Sequence, residues 1–298
     1  MIVDVRTQIL PSDEPEADAC SPSPDSHARA MGCVDVSIVQ GWRSVRLGVD
    51  TPPEAIASFV EGDPARRVGF AGVDPLADSV HDDLDRVREL GLAGVTLCPA
   101  DQGCRPTHDA CRVVLEWCAA MRVPVFAANP WLTDRRSVMA FASPALWDEA
   151  LRDLPTLTLI LGDLGAAWTD EALLLAARHE RVFVDLSGVV SRPWSLYRTL
   201  QAALERRVTH KVLFGSGFPR EAPESAIERI YSINAIRHGS SLPIVPREAL
   251  RSIVERDTFS CLGIDHLGAG RRAPEPPVVH VSADSASGQI AVSAVTPR

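Results

Sequence analysis

Short runs of Val, Ile, Leu and Phe alternate with helix-length amphipathic segments from the first residues to about Ile264, and this alternation constrains the fold more than any other feature. Parallel strands must be joined by crossovers of a dozen or more residues, usually helical, so strict alternation predicts βα units and a parallel sheet. Eight strands are expected, at 2–5, 34–39, 68–73, 94–97, 123–127, 157–161, 182–186 and 212–214. Each is a nearly continuous apolar run, the pattern of a strand covered on both faces. Between them apolar residues return at helical spacing, as in Val80, Leu84, Val87 and Leu90, or Val114, Leu115, Cys118 and Met121. Pro52-Pro53 and Asp78-Ser79 open helices, and Gly91 and Gly239 fall where helices end. The reading is an α/β fold, a single (β/α)8 TIM barrel over 1–266, with 267–298, rich in small residues and proline, as a flexible tail. The acidic, proline-rich segment 11–26 follows the first strand and reads equally as a lid over the barrel mouth or as a solvated loop.

A net charge of -9 and the lack of any basic run argue against a nucleic-acid partner. No run of eighteen or more apolar residues and no signal-peptide pattern is visible, so the expectation is a cytoplasmic protein with no membrane partner. The seven cysteines are scattered and never spaced as Cys-x-x-Cys, which speaks against a disulfide framework or a zinc ribbon. Lys211 is the only lysine and precedes the eighth strand, at the face opposite a barrel's active site, so it makes a poor Schiff-base residue.

Several strand ends carry recognisable pieces. They are Ile2-Val3-Asp4-Val5-Arg6-Thr7-Gln8, Gly72-Val73-Asp74-Pro75, the run from Glu89 to Pro99, Pro124-Val125, Leu159-Ile160-Leu161-Gly162-Asp163-Leu164-Gly165, Asp185-Leu186-Ser187-Gly188, and Lys211 through Pro219. In this order and spacing the chain resembles the amidohydrolase-related metal-dependent hydrolases, a family that includes amino-carboxymuconate semialdehyde decarboxylase. The resemblance implies a metal held by Asp-x-His-x-His on the first strand, a histidine after the fifth, another after the sixth and an aspartate after the eighth. The matching positions here are Arg6, Gln8, Ala128, Asp163 and Gly217. Arginine cannot ligate a cation, alanine and glycine bring no side-chain donor, and glutamine is a weak neutral ligand. No metal or other cofactor is therefore expected, and no catalytic residue can be assigned. All eight histidines fall on helices, at helix ends, below the barrel or in the tail, where solvated or capping roles are expected.

Residues expected at the mouth are Arg6, Gln8, Asp74, Cys98, Asn129, Trp131, Asp163, Trp168, Asp185, Ser187, Ser216 and Arg220. An ion pair between Arg6 and Asp163 would plug the former metal site. Alternatively Arg6, Arg220 and the backbone of Gly215-Ser216-Gly217 would bind a small carboxylate or phosphate, with Asn129 beside it and Trp131 and Trp168 as flat walls. Cys98 has no histidine to activate it and should keep an ordinary thiol pKa near ~8.5. Two functions stand open: a degenerate barrel that binds a small anion or a partner subunit, with a homodimer expected by resemblance, or an active hydrolase or carboxy-lyase with a relocated or metal-free site.

Overall fold

The computed structural model describes residues 1–9, 23–165 and 167–266, together with the backbone of Val279–Ala283 and Ile290–Ala294. Eight strands form one sheet in sequence order: β1 Val3–Gln8, β2 Val36–Gln40, β3 Arg67–Gly72, β4 Gly94–Leu97, β5 Val125–Ala127, β6 Leu159–Leu161, β7 Val182–Asp185 and β8 Val212–Leu213. Every neighbouring pair is parallel. The sheet closes on itself, because Val5 N–H donates to Phe214 O at 3.0 Å, Gly217 N–H to Arg6 O at 3.0 Å and Gln8 N–H to Phe218 O at 3.1 Å. This is the expected TIM barrel. The first strand runs three residues past its expected end because Thr7 and Gln8 still pair with β2 while Arg6, Thr7 and Gln8 meet the chain after β8.

Alternation along the strands sorts the core into two layers. Ile38, Phe70, Phe126, Ile160, Phe183 and Leu213 fill the barrel, while Val39, Ala71, Val95, Val125, Leu159 and Val184 face the helices. Phe259, Leu262 and Ile264 join the interior cluster from the C-terminal side, and Trp42 joins it from the loop after β2. In β1 the register against β2 slips by one residue between Asp4 and Thr7. Through that bulge Val5 stays in the barrel interior and Arg6 also reaches inward.

Two of the expected segments are described only in part. Of 11–26, Pro24–Ala30 is a helix capped by the Ser23 side chain, which accepts from Ser26 N–H, because serine at this position satisfies a free first-turn donor. The remainder, 11–22, lies outside the described residues, as does most of the expected tail; within 267–298 the two described stretches pair antiparallel. Among the described residues no helix is long and apolar enough to cross a membrane.

Trp42 fixes the glycine at the end of β3. A Cβ built on Gly72 would lie 2.5 Å from the Trp42 carbonyl carbon and 2.7 Å from Arg43 N, so the loop carrying Trp42 rests directly on the β3 backbone. Gly72→Ala must lift that loop, and is expected to cost about 1–3 kcal/mol in urea denaturation, as overpacking does. A wild-type midpoint would show that the loop is not seated there.

Candidate functional site

β1 delivers the central charge of the mouth. Arg6 is 1% exposed. Its Nη1 donates to Gln40 Oε1 at 2.8 Å, and its guanidinium carbon lies 4.3 Å from the Trp42 ring centroid and 5.4 Å from that of Phe126. A planar cation loses less on leaving water when aromatic faces replace part of its hydration. Nη2 makes no hydrogen bond but stands 3.5 Å from Asp163 Oδ2, so charge alone holds that pair.

Asp163 is aimed by its neighbours. Its backbone is left-handed, with φ 53°, and its N–H donates to Asp185 Oδ2 at 3.0 Å. Asp185 Oδ1 accepts from Ser187 N–H at 2.5 Å, and the Ser187 hydroxyl donates to Asp163 Oδ1 at 3.2 Å. Gly188 permits this approach, since a Cβ there would stand 2.7 Å from Asp163 Cα. Arg220 Nη2 completes the cluster, 3.7 Å from Asp163 Oδ1. Burial, and then the Asp163 charge, push the Asp185 carboxyl upward against the pull of Arg6.

Beneath the cluster, Asp4 stitches β1 to the chain after β8. Its Oδ1 accepts from Arg6 N–H at 3.1 Å and from Ser216 N–H at 2.9 Å, while Oδ2 is buried without a partner. Burial outweighs those bonds and pushes its carboxyl up to about 7.

Above Asp163 opens a cleft of about 460 Å³. It is lined by Asn129, Pro130, Leu132 and Thr133 after β5, by Asp163 and Ala167 after β6, by Ser187, Ser191 and Arg192 after β7, and by Ser216, Arg220 and Glu221 after β8. The structure thus brings Asn129, Asp163, Ser187, Ser216 and Arg220 together at one opening. Arg6 lies below them, buried.

Other expectations need correction. The backbone cradle is already occupied, since Ser216 N–H donates to Asp4 and Gly217 N–H to Arg6 O, so neither can receive an anion. Trp131 turns edge-on to Trp42, 6.0 Å between centroids, and Trp168 faces a separate cavity of about 330 Å³ between the helices after β6 and β7; neither walls the cleft. Asp74 points away, accepting from Val45 and Leu76 N–H. The Cys98 thiol is pushed well above its ordinary range by burial, which makes it less reactive than an ordinary free thiol. His27, expected solvated or capping, is buried between Phe59 and Phe218 with Nε2 3.4 Å from Thr7 Oγ1; burial, with Arg67 and Arg66 nearby, drives its pKa down to about 4. His108 does cap its helix, accepting from Ala110 N–H. Lys211 sits at the start of β8 against the carbonyls of His179 and Glu180. Trp42 and Arg192 carry no motif and were not expected at the mouth.

A metal ion does not fit this donor set. At the five positions the resemblance assigns to ligands stand a guanidinium, a carboxamide, two side chains without donors, and one carboxylate already facing two guanidinium groups. Among the described residues no three His, Cys, Asp or Glu side chains converge as a metal-binding group.

The amidohydrolase family model matches residues 4–253. Among solved structures, an uncharacterised TIM-barrel protein from Bordetella bronchiseptica is 17% identical, with 91% of this chain and 99% of that one covered and a TM-score of 0.69. An amidohydrolase from Burkholderia multivorans with bound zinc is 13% identical, covering 89% and 100%, at 0.65. A dihydroxybenzoic acid decarboxylase from Polaromonas sp. with bound manganese is 15% identical, covering 88% and 96%, at 0.61. At these identities the likeness is one of fold. No curated protein matches the chain.

Two outcomes follow from the buried charges. Arg6→Met should destabilise the barrel by about 3–5 kcal/mol, because Asp163 loses its buried partner, and adding Asp163→Asn should restore part of that loss. Purely additive effects would show that the two charges do not interact. Since the folded-state pKa of Asp4, about 7, lies above the usual value of 3.8, its contribution is present at low pH and fades as pH rises through 7. Asp4→Asn keeps the Oδ1 acceptor and should flatten the decline in stability between about pH 4 and 7; an unchanged slope in urea titrations would exclude Asp4 as its source.

Proposed function

The chain belongs to the amidohydrolase family, and on that premise we propose that it is a member without metal-dependent hydrolysis or decarboxylation, whose mouth binds a small anion, a carboxylate or phosphate. The observation that carries this reading is the buried guanidinium of Arg6, fixed between Gln40, Trp42, Phe126 and Asp163 beneath the cleft. A catalytic metal lowers the pKa of bound water from ~15.7 to ~7, worth about 12 kcal/mol at ~1.36 kcal/mol per unit. A guanidinium has no vacant coordination position for water and cannot do this. What a fixed cation can do is hold charge in place.

Recognition of an oxyanion is supported by the remaining cleft residues. Among the described residues the Arg192 guanidinium donates to the Gly188 carbonyl, and Arg220 shares Asp163 with Arg6. Glu221, the other acid of the lining, faces Arg229 at 3.6 Å, which leaves the opening with positive charge in excess. Thr133 and Ser191 line the same cleft, and their hydroxyls would take the remaining oxygens.

The test combines elemental analysis with calorimetric titration. Purified protein is expected to carry under roughly a tenth of an equivalent of zinc, iron or manganese, and to bind succinate or inorganic phosphate. Arg220→Ala should weaken that binding about tenfold, the loss of one charge-assisted hydrogen bond. Asp163→Asn should tighten it by removing the competing carboxylate. Stoichiometric metal, together with chelator-sensitive turnover of a lactone or an aromatic carboxylate, overturns the proposal and returns the chain to ordinary hydrolase or carboxy-lyase chemistry.

A further inference from the structure

The segment 129–138 after β5 supplies four residues of the cleft wall, Asn129, Pro130, Leu132 and Thr133, yet it contains no helix or strand of its own. Its two ends are tied to one residue of the short helix Pro99–Gln102: Ala100 N–H donates to Asn129 Oδ1 at 2.7 Å, and Val138 N–H donates to Ala100 O at 2.9 Å. A ten-residue loop with its ends this close is a compact surface loop that must be held down by its own side chains or by what lies beneath. What lies beneath is Asp101.

Asp101 is fully buried. Its Oδ1 accepts from the Ser137 hydroxyl at 2.6 Å and its Oδ2 from Trp131 N–H at 3.2 Å; the Ser137 hydroxyl also stands 2.9 Å from Trp131 O. One carboxylate therefore reaches the segment at two points, six residues apart in sequence. Apart from these contacts the segment touches the rest of the mouth through the Trp131 ring against Trp42 and through Arg136, whose Nη1 donates to Leu47 O at 3.1 Å and whose carbonyl accepts from Arg46 Nε at 2.5 Å. Arg136 is an exposed side chain, so its bonds compete with water. The buried bonds of Asp101 do not.

We infer that Asp101 is a positioning residue for the cleft: through Ser137 and Trp131 it latches the strap 129–138 over the mouth, and releasing this latch opens the wall while the barrel stays folded. The idea rests on the anion-binding reading only for its consequence, not for the latch itself. Charge on Asp101 is not essential to the latch, because a carboxamide would donate to Ser137 Oγ, let that hydroxyl donate to Trp131 O, and still accept from Trp131 N–H.

Arg135 and Arg136 lie in the strap and make it a trypsin substrate whenever it lifts, so limited proteolysis reads the latch directly. With full-length protein and cleavage sites identified by mass, Asp101→Ala and Ser137→Ala should speed cleavage after Arg135 or Arg136 about tenfold or more, while other sites remain at wild-type rates. Asp101→Asn should restore the wild-type rate. Ser137 is only half-buried, so its variant keeps the test available if Asp101→Ala does not fold. Wild-type cleavage in Ser137→Ala, equal acceleration in Asp101→Asn, or faster cleavage throughout the barrel each overturns the latch. Inorganic phosphate titrated into the same variants separates the two ideas. If the strap opens but phosphate affinity in wild type is nil, the latch stands and the anion-binding reading falls; if wild type binds phosphate and the opened variants bind equally well, the strap does not position the cleft.

Discussion

A guanidinium in the throat of a barrel is an expensive thing to bury, and the arrangement of the mouth follows from how that cost is met. Isolated charge loses several kcal/mol on leaving water unless it is paired and hydrogen-bonded. Arg6 meets the requirement in three directions at once: a carboxamide from β2, aromatic faces from the β2 loop and from β5, and a carboxylate from the turn after β6. Each partner then needs its own support. Asp163 adopts a left-handed backbone that Asp185 holds by its N–H and that Gly188 leaves room for; Trp42 comes close because β3 ends in glycine. Strand ends that share little in sequence are thus bound to one charge.

The barrel itself was legible because its signal is repeated. Eight apolar runs separated by helical periods leave few alternatives, and β4 begins and ends where its apolar run does. Local chemistry was legible where it is intrinsic to the residue: arginine is a cation in any surroundings, so a pair between Arg6 and Asp163 could be foreseen from two strand tips. Properties set by surroundings were not. The thiol of Cys98 and the imidazole of His27 look ordinary in sequence, and only burial shows one pushed up and the other down. The direction of a tryptophan depends on its neighbours, so Trp131 and Trp168 left the wall they were expected to form while Trp42, in a loop without a motif, packs against Arg6 in the barrel interior. Backbone donors are also invisible to a motif. The Gly-Ser-Gly turn after β8 reads as an anion cradle until Asp4 and Arg6 are seen to have taken its N–H groups.

Family membership and residue chemistry pull in different directions here, and their magnitudes decide which governs function. The fold positions eight strand ends around a common mouth whatever those ends carry, so membership of the family does not by itself specify a reaction. Activation of water by a metal supplies about 12 kcal/mol. A charge-assisted hydrogen bond from an arginine supplies about 1.5–3 kcal/mol. Two such bonds sum to about 4 kcal/mol, that of a millimolar affinity, and fall far short of what metal activation supplies. Arg6 supplies fixed positive charge beneath the mouth, already facing Asp163.

Rigidity is distributed unevenly around that mouth, and the distribution follows from the same charge. The side formed after β6, β7 and β8 cannot move without separating Asp163 from Arg6, or Ser216 from Asp4, and each separation would strand a buried ionisable group. The side formed after β5 is held without an ion pair. When Asn129, Leu132 and Thr133 leave the cleft, the buried carboxylate of Asp101 gives up its bonds to Ser137 and Trp131, while Asp101 and Ala100 keep their places on their own helix. One wall is thus pinned by a buried ion pair and the opposite wall by hydrogen bonds to a short helix, so local opening that separates no ion pair is confined to the second.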